Sequence, residues 1–260
     1  MQTDQIELGA GRRRIATLTR DGRGPPVLWL GGFRSDMRAT KAEALDAWAV
    51  RAGRRFVRFD YSGHGESEGR FEEGTISRWL EDALGVVERL APGRPVLVGS
   101  SMGGWIALLM ARALRRLGPG RAPSGLVLIA PAADFTERLM WDVMPPEVRA
   151  EIMERGVHHQ PSAYSPEPTP ITRALIEDGR RHLLLGAPIE VGCPVHILQG
   201  MQDPDVPWRH ALALVEHLPG DPVQLTLVND GDHRLSRPAD LERLVAAVEG
   251  ITPAGGPDQG

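Results

Sequence analysis

Gly99-Ser100-Ser101-Met102-Gly103 has the Gly-x-Ser-x-Gly spacing of a nucleophile elbow, and its context is the one an elbow needs. The apolar run Pro95-Val96-Leu97-Val98 precedes it, and an apolar helical stretch starts near Met102. A tight strand-to-helix turn lifts the Ser101 hydroxyl above the sheet edge. It also sets that hydroxyl at a helix N-terminus, where free amides and the helix dipole favour the negative charge of acyl transfer. Glycine is needed at 99 and 103 because a side chain there would strike neighbouring backbone. Read alone, the same residues are also a glycine-rich turn in which Ser101 only caps a helix. Ser100 occupies the x position and points elsewhere.

A serine hydroxyl attacks only when a base takes its proton, and the base needs a third group to fix its tautomer. In strand-turn-helix sites of this kind the order along the chain is Ser, then Asp or Glu, then His. Of the eight histidines, His233 alone follows the last apolar run, 223–228, and precedes the last helical stretch. His64, His158, His159, His182, His196, His210 and His217 fall outside that order. The acid belongs on the loop after the run at 195–199, where Asp203 and Asp205 both qualify on position. Both also stand beside proline, as turn-forming aspartates do. Acyl transfer further requires two donors aimed at the oxyanion. One is the amide of Met102, directly after the nucleophile. The other comes from Gly31-Gly32-Phe33-Arg34-Ser35, after the early run 27–30, where position selects the amide of Phe33.

The elements that must hold these residues are legible as an alternation. Candidate strands cover 14–19, 27–30, 56–60, 96–99, 126–130, 195–199 and 223–228. Five are near-continuous apolar runs, as strands covered on both faces are. Helical patterns cover 41–51, 76–90, 102–117, 208–217 and 238–248. This predicts an α/β fold with a mostly parallel sheet and helices on both faces. Between 134 and 188 the alternation stops. No strand is expected there, and helices are expected at 146–155 and 171–185, joined by the Pro-rich link 160–170. The organisation expected is a core of 1–133 and 189–251, a helical cap at 134–188 and a disordered Gly/Pro-rich tail at 252–260. Leu139, Trp141 and Met144 in the cap are candidates for the substrate pocket, alongside the plainer role of joining cap to core.

Composition narrows the partners. A net charge of −4 argues against nucleic-acid binding, and the arginine groups are expected to be solvated surface. No apolar run is long enough to span a bilayer, so no stable membrane insertion is expected. The polar start Met1-Gln2-Thr3-Asp4-Gln5 lacks signal- and transit-peptide character, which makes the cytoplasm the expected location. The single cysteine, Cys193, excludes an internal disulfide and is expected to pack as a small hydrophobe before a strand. No metal and no cofactor is expected. The sequence leaves the oligomeric state open.

Four stretches together carry a resemblance. They are Arg58-Phe59-Asp60-Tyr61-Ser62-Gly63-His64-Gly65-Glu66-Ser67, Leu97 to Trp105, Gly200 to Trp208, and Asp232-His233-Arg234. With Gly32-Phe33-x-Ser35-x-Met37 and Pro161-Ser162-x-Tyr164-Ser165, they resemble the α/β-hydrolase superfamily. Within it, the similarity is to the mitochondrial palmitoyl-protein thioesterase and acyl-glucuronide esterase family. The resemblance implies a sheet of about eight strands, a triad of Ser101, Asp203 and His233, and a small-molecule or S-acylated protein substrate. Gly200, Asp203, Val206 and Pro207 match the common Gly-x-x-Asp-x-x-Val-Pro pattern, which favours Asp203, with Asp205 as the alternative. The chain departs from the mammalian members at His64. A serine at the elbow argues against dehalogenase or epoxide-hydrolase chemistry, which uses aspartate there. Peptidase or carbon–carbon hydrolase activity, and a catalytically inactive binding protein, remain the alternative expectations.

Overall fold

The computed structural model describes residues 3–9, 11–161 and 166–252. The tail 253–260 and Ser162, Tyr164 and Ser165 of the insertion motif lie outside the described residues. The strands are β1 (Asp4–Leu8), β2 (Arg13–Arg20), β3 (Arg23–Leu30), β4 (Arg54–Phe59), β5 (Val96–Ser100), β6 (Gly125–Ile129), β7 (Val157–Gln160), β8 (Thr169–Thr172), β9 (Val195–Gly200) and β10 (Val223–Val228). The helices are α1 (Thr40–Ala52), α2 (Ile76–Leu90), α3 (Met102–Arg116), α4 (Pro146–Arg155), α5 (Arg173–Gly179), α6 (Trp208–Glu216) and α7 (Pro238–Ile251).

Eight strands form one sheet in the order β1-β2-β4-β3-β5-β6-β9-β10. The strands from β4 to β10 pair in parallel, and β1 and β2 are antiparallel. Alternate residues of each strand go to opposite faces. Leu28 and Leu30 join Leu97, Leu126, Leu128 and Ile197 under α2 and α3. Val27 and Trp29 join Val96, Val98, Val127 and Ile129 under α1 and α7. The sheet is thus covered on both faces, which explains why its strands are apolar without interruption. In register, Ser100 lies beside Ile129, Ile129 beside Leu198, and Leu198 beside Thr226. The loops after β5, β9 and β10 therefore leave the sheet at one edge, and they carry Ser101, Asp203 and His233.

The segment between β6 and β9 corrects two expectations. It contains strands, because β7 and β8 pair antiparallel from Val157↔Thr172 to Gln160↔Thr169. Val157, Thr169, Ile171 and Thr172 are β-branched, and a two-stranded ribbon has only edges, where Pro170 is tolerated. The expected helix at 171–185 is the short α5 plus a 3₁₀ turn, Arg180–His182. The Thr172 hydroxyl caps α5 by accepting from the Leu175 amide, so the first expected helical residues belong to the strand. The segment also opens with a π-helical turn at Thr136–Met140. At the other end of the chain, β1 is a polar edge strand that apolar runs do not reveal.

Backbone packs closely on backbone at the elbow. A Cβ on Gly99 would stand 2.3 Å from the Gly103 carbonyl oxygen, and one on Gly103 would stand 2.0 Å from that of Leu30. Gly103→Ala is expected to cost about 3 kcal/mol and to lower the melting temperature by roughly 6–12 °C. Gly186→Ala, where an added Cβ meets nothing within 4 Å, serves as the control and is expected to leave it unchanged. Equal melting of both variants in calorimetry would contradict this packing.

Candidate active site

Ser101 occupies a backbone conformation that serine rarely adopts, φ 54° and ψ −117°. Such a conformation costs about 1–3 kcal/mol and persists only where neighbours enforce it. Here its amide donates to the Ile129 carbonyl at 2.8 Å, and its own carbonyl accepts from Gly104 at 2.9 Å and Ala132 at 3.1 Å. Ser101 precedes α3, yet its side chain makes no cap hydrogen bond. Ser101 is partly exposed and its hydroxyl caps nothing, so the turn presents it rather than consuming it.

Asp203 and His233 meet directly. Asp203 Oδ2 lies 2.8 Å from His233 Nδ1 and accepts from Gln199 Nε2 at 3.2 Å. Asp203 Oδ1 accepts the amides of Asp205 at 2.9 Å and Val206 at 2.8 Å. Four donors fill the four acceptor positions of one carboxylate. The carboxylate takes the Nδ1 hydrogen, so the neutral ring presents Nε2 as an acceptor. Asp205 is exposed, whereas the Asp203 side chain has no exposed surface. Among the described residues no hydrogen bond joins Ser101 to His233. Contacts of this kind are often long before substrate binds. Asp203, Asp205 and His233 also bring ligand-type atoms within 4.8 Å of one another. The filled acceptor positions of Asp203 suit it to orienting His233 better than to holding an ion.

The sequence reading missed Gln199. It is a fully buried amide near the end of β9, and it also donates to the carbonyls of Gly200 and Val206 at 3.0 Å. A lone buried amide on such a strand is the signal that could have found it. The acid and histidine loops touch through glycine: a Cβ on Gly200 would stand 2.4 Å from the Gly231 carbonyl oxygen.

Gly32 places the other loop against the serine, since a Cβ there would stand 3.5 Å from Ser101 Cβ. Among the described residues, neither the Phe33 nor the Met102 amide bonds to another protein group. The next amide, Arg34, donates to His64 Nε2 at 3.2 Å, and His64 Nδ1 lies 3.3 Å from the Ser62 carbonyl. His64 is thus a support beneath the Phe33 loop. The order rule passed over it because that rule selects only the base. Asp60 adds a second brace, accepting the Met37 amide at 2.6 Å. The Phe33 ring packs edge-on to Phe71 and Trp79 at 4.9 and 5.8 Å and lies 5.6 Å from Phe135.

The pocket candidates separate. The guanidinium groups of Arg180 and Arg149 lie over the Trp141 ring, at 4.8 and 5.6 Å from its centroid. Met144 is buried with Ile152, Ile171 and Ile176 inside the inserted segment, and Leu139 packs on the main core. Phe33 contacts both clusters. Cys193 is buried, and burial pushes its thiol up to about 12, which leaves it a packing residue.

Residues 24–248 match the α/β-hydrolase family model. The chain belongs to the α/β-hydrolase family. This α/β hydrolase is 35% identical to the human mitochondrial palmitoyl-protein thioesterase ABHD10 over 231 residues, 88% of the chain and 74% of that protein. The bovine protein of the same name is also 35% identical, over 233 residues, with the same coverage. Among solved structures, a hydrolase-class protein from Agrobacterium vitis S4 superposes with a TM-score of 0.91 at 51% identity, covering 96% of this chain and 98% of that one. Mouse α/β-hydrolase domain-containing protein 10 superposes with a TM-score of 0.85 at 32% identity and the same coverage. The chain is a hydrolytic enzyme of this family, and none of its described helices is long and apolar enough to cross a membrane.

The brace at His64 carries a pH signature. Burial holds its imidazole down to about 4, against the weaker opposing bond to the Ser62 carbonyl. Between that value and the ordinary 6.5 or so, the unfolded chain binds a proton that the folded chain refuses. The stability from the neutral ring is complete above pH about 6.5 and is lost as pH falls toward about 4, by up to about 3 kcal/mol. Urea unfolding at pH 7 and pH 4.5 is expected to show a smaller acid loss for His64→Gln than for wild type. Identical losses would remove His64 from the account.

Proposed function

We propose that this hydrolase is a serine esterase or thioesterase working through an acyl-enzyme on Ser101. The single observation that supports it most is the Ser101 turn: a strained serine at a helix N-terminus whose hydroxyl caps nothing. A serine kept only to cap α3 would bond the first free amides of that helix.

In this reading His233 Nε2 removes the Ser101 proton as Oγ attacks the acyl carbonyl. The amides of Phe33 and Met102 donate to the oxyanion, and the helix dipole of α3 adds to them. The protonated imidazole then donates to the departing alcohol or thiol, and the acyl group stays on Oγ. Water loses a proton to Nε2 and attacks the acyl-enzyme; the bond between the acyl carbon and Oγ then breaks, Nε2 returns the proton to Oγ, and the acid leaves with Ser101 and His233 restored. Asp203 keeps the ring oriented throughout and steadies its charged form.

The substrate class proposed is a small acyl ester or an S-acylated protein cysteine. Similarity to the palmitoyl-protein thioesterases supports it, as does the net charge of −4, which disfavours nucleic acid. The domain reading is a core of 1–133 and 189–251 with 134–188 as a cap. Several bonds tie that cap down: the Ser77 hydroxyl donates to Asp178 Oδ1 at 2.7 Å, and Trp105 Nε1 to the His182 carbonyl at 3.2 Å. The Arg34 guanidinium donates to the Pro168 carbonyl at 2.8 Å, which links the Phe33 loop to the cap. The cytoplasmic location expected above stays a proposal, and the curated relatives are named as mitochondrial.

A panel of p-nitrophenyl esters, acyl-CoA and S-acyl-cysteine thioesters and anilides of graded length tests the class. Wild type is expected to hydrolyse esters and thioesters and to be labelled by a fluorophosphonate probe. Ser101→Ala is expected to lose labelling and about a thousandfold or more in kcat. Labelling that survives in Ser101→Ala would overturn the mechanism. Preference for anilides would overturn the substrate class.

A further inference from the structure

We propose that Lys41 is a positioning residue for His233, its ammonium latching the carbonyl of the very next residue, Arg234. The inference rests on the esterase reading above. Lys41 is the sole lysine among 260 residues. It sits in the first turn of α1, and its Nζ donates to the Arg234 carbonyl, 193 positions away in the chain.

The peptide between Arg234 and Leu235 is gripped at both of its polar groups. The Arg234 carbonyl accepts from Lys41 and, at 2.9 Å, from the Ser236 hydroxyl. The Leu235 amide donates to Asp232 Oδ1 at 2.9 Å. Leu235 has φ 42°, a left-handed conformation that a branched side chain reaches only under constraint, and its side chain is buried in the core. The loop ends are pinned separately. Gly231 donates to the Val228 carbonyl at 3.0 Å, and Arg237 joins Asp230 at 2.6 Å and Asp240 at 2.8 Å. Between those ends, Lys41 ties the Arg234–Leu235 peptide, one residue past His233, to α1, an element outside the loop. Rotation of that peptide would swing the imidazole, and a displacement of about 1 Å can cost a hundredfold in rate.

The ammonium suits a latch that works at neutral pH. Burial lowers its proton affinity, and it titrates at about 8; the Arg234 guanidinium acts in the same sense, while Asp232, Asp240 and Asp203 oppose it. Below that value the donor is charged and its bond to a carbonyl is the stronger for it. Above it the latch slackens while Asp203 still holds the ring from the other side.

The test measures kcat and KM for a p-nitrophenyl ester from pH 6 to 10, with melting temperature and fluorophosphonate labelling, for wild type, Lys41→Met and Lys41→Arg. Lys41→Met is expected to lower kcat about ten- to a hundredfold, with KM within about twofold. Lys41→Arg is expected to recover most of kcat and to lose the wild-type decline above pH about 8, because a guanidinium stays charged. A Lys41→Met enzyme with wild-type kcat would overturn the inference. So would an alkaline decline shared by Lys41→Arg, a comparison that stands even where Lys41→Met does not fold. If wild type is not labelled at Ser101, the esterase reading fails. Labelled wild type with an indifferent Lys41 overturns the latch alone.

Discussion

The site depends on one constraint, the absence of room for a side chain at either end of the Ser101 turn. Gly99 faces the Gly103 carbonyl and Gly103 faces the Leu30 carbonyl, each at a distance no Cβ can occupy. Because β3 and β5 are neighbours in a buried parallel sheet, that contact cannot relax by moving a flexible side chain. The turn therefore stays in its strained form. The same close approach carries α3 past the end of β3, which brings the Gly32 loop against the serine.

Around that fixed point, three loops are held by buried polar groups. Asp203, filled by four donors, sets the ring of His233 and is itself backed by Gln199. His64 and Asp60 carry the loop of Phe33 through the amides of Arg34 and Met37. Asp134, almost fully buried at the start of the inserted segment, accepts the amides of Leu184 and Leu185 at 2.7 and 2.8 Å and so closes that segment on itself. Each arrangement satisfies a group whose unsatisfied burial would cost about 1–3 kcal/mol. Rigidity in the loops thus comes from hydrogen bonds, whereas rigidity in the sheet comes from packing.

Much of this was legible in the chain, and the exceptions have physical causes. The central strands were readable because two-sided burial makes them continuous apolar runs, and the family and fold expectations hold. The polar edge strand β1 was not readable, and neither was the β7–β8 ribbon, whose His158, His159 and Gln160 carry no apolar alternation. Loop position alone left Asp203 and Asp205 both open, and the Gly-x-x-Asp-x-x-Val-Pro pattern favoured Asp203; direction separates them, one buried against His233 and the other exposed. His64 was invisible to a rule that ranks histidines by order, since its work is to accept an amide hydrogen. Trp141 was offered for the pocket as one of several apolar residues of the segment, and no local pattern shows that Arg149 and Arg180 lie over its ring.

The most direct measurement of the central claim is the mass of the enzyme during turnover. Rapid acid quenching with a slow thioester substrate, followed by peptide mass spectrometry, reads where the acyl group resides. The account predicts an adduct equal to one acyl group on the peptide containing Ser101, absent from Ser101→Ala. Product release with no adduct on that peptide, or an adduct on another residue that turns over at the catalytic rate, would contradict it.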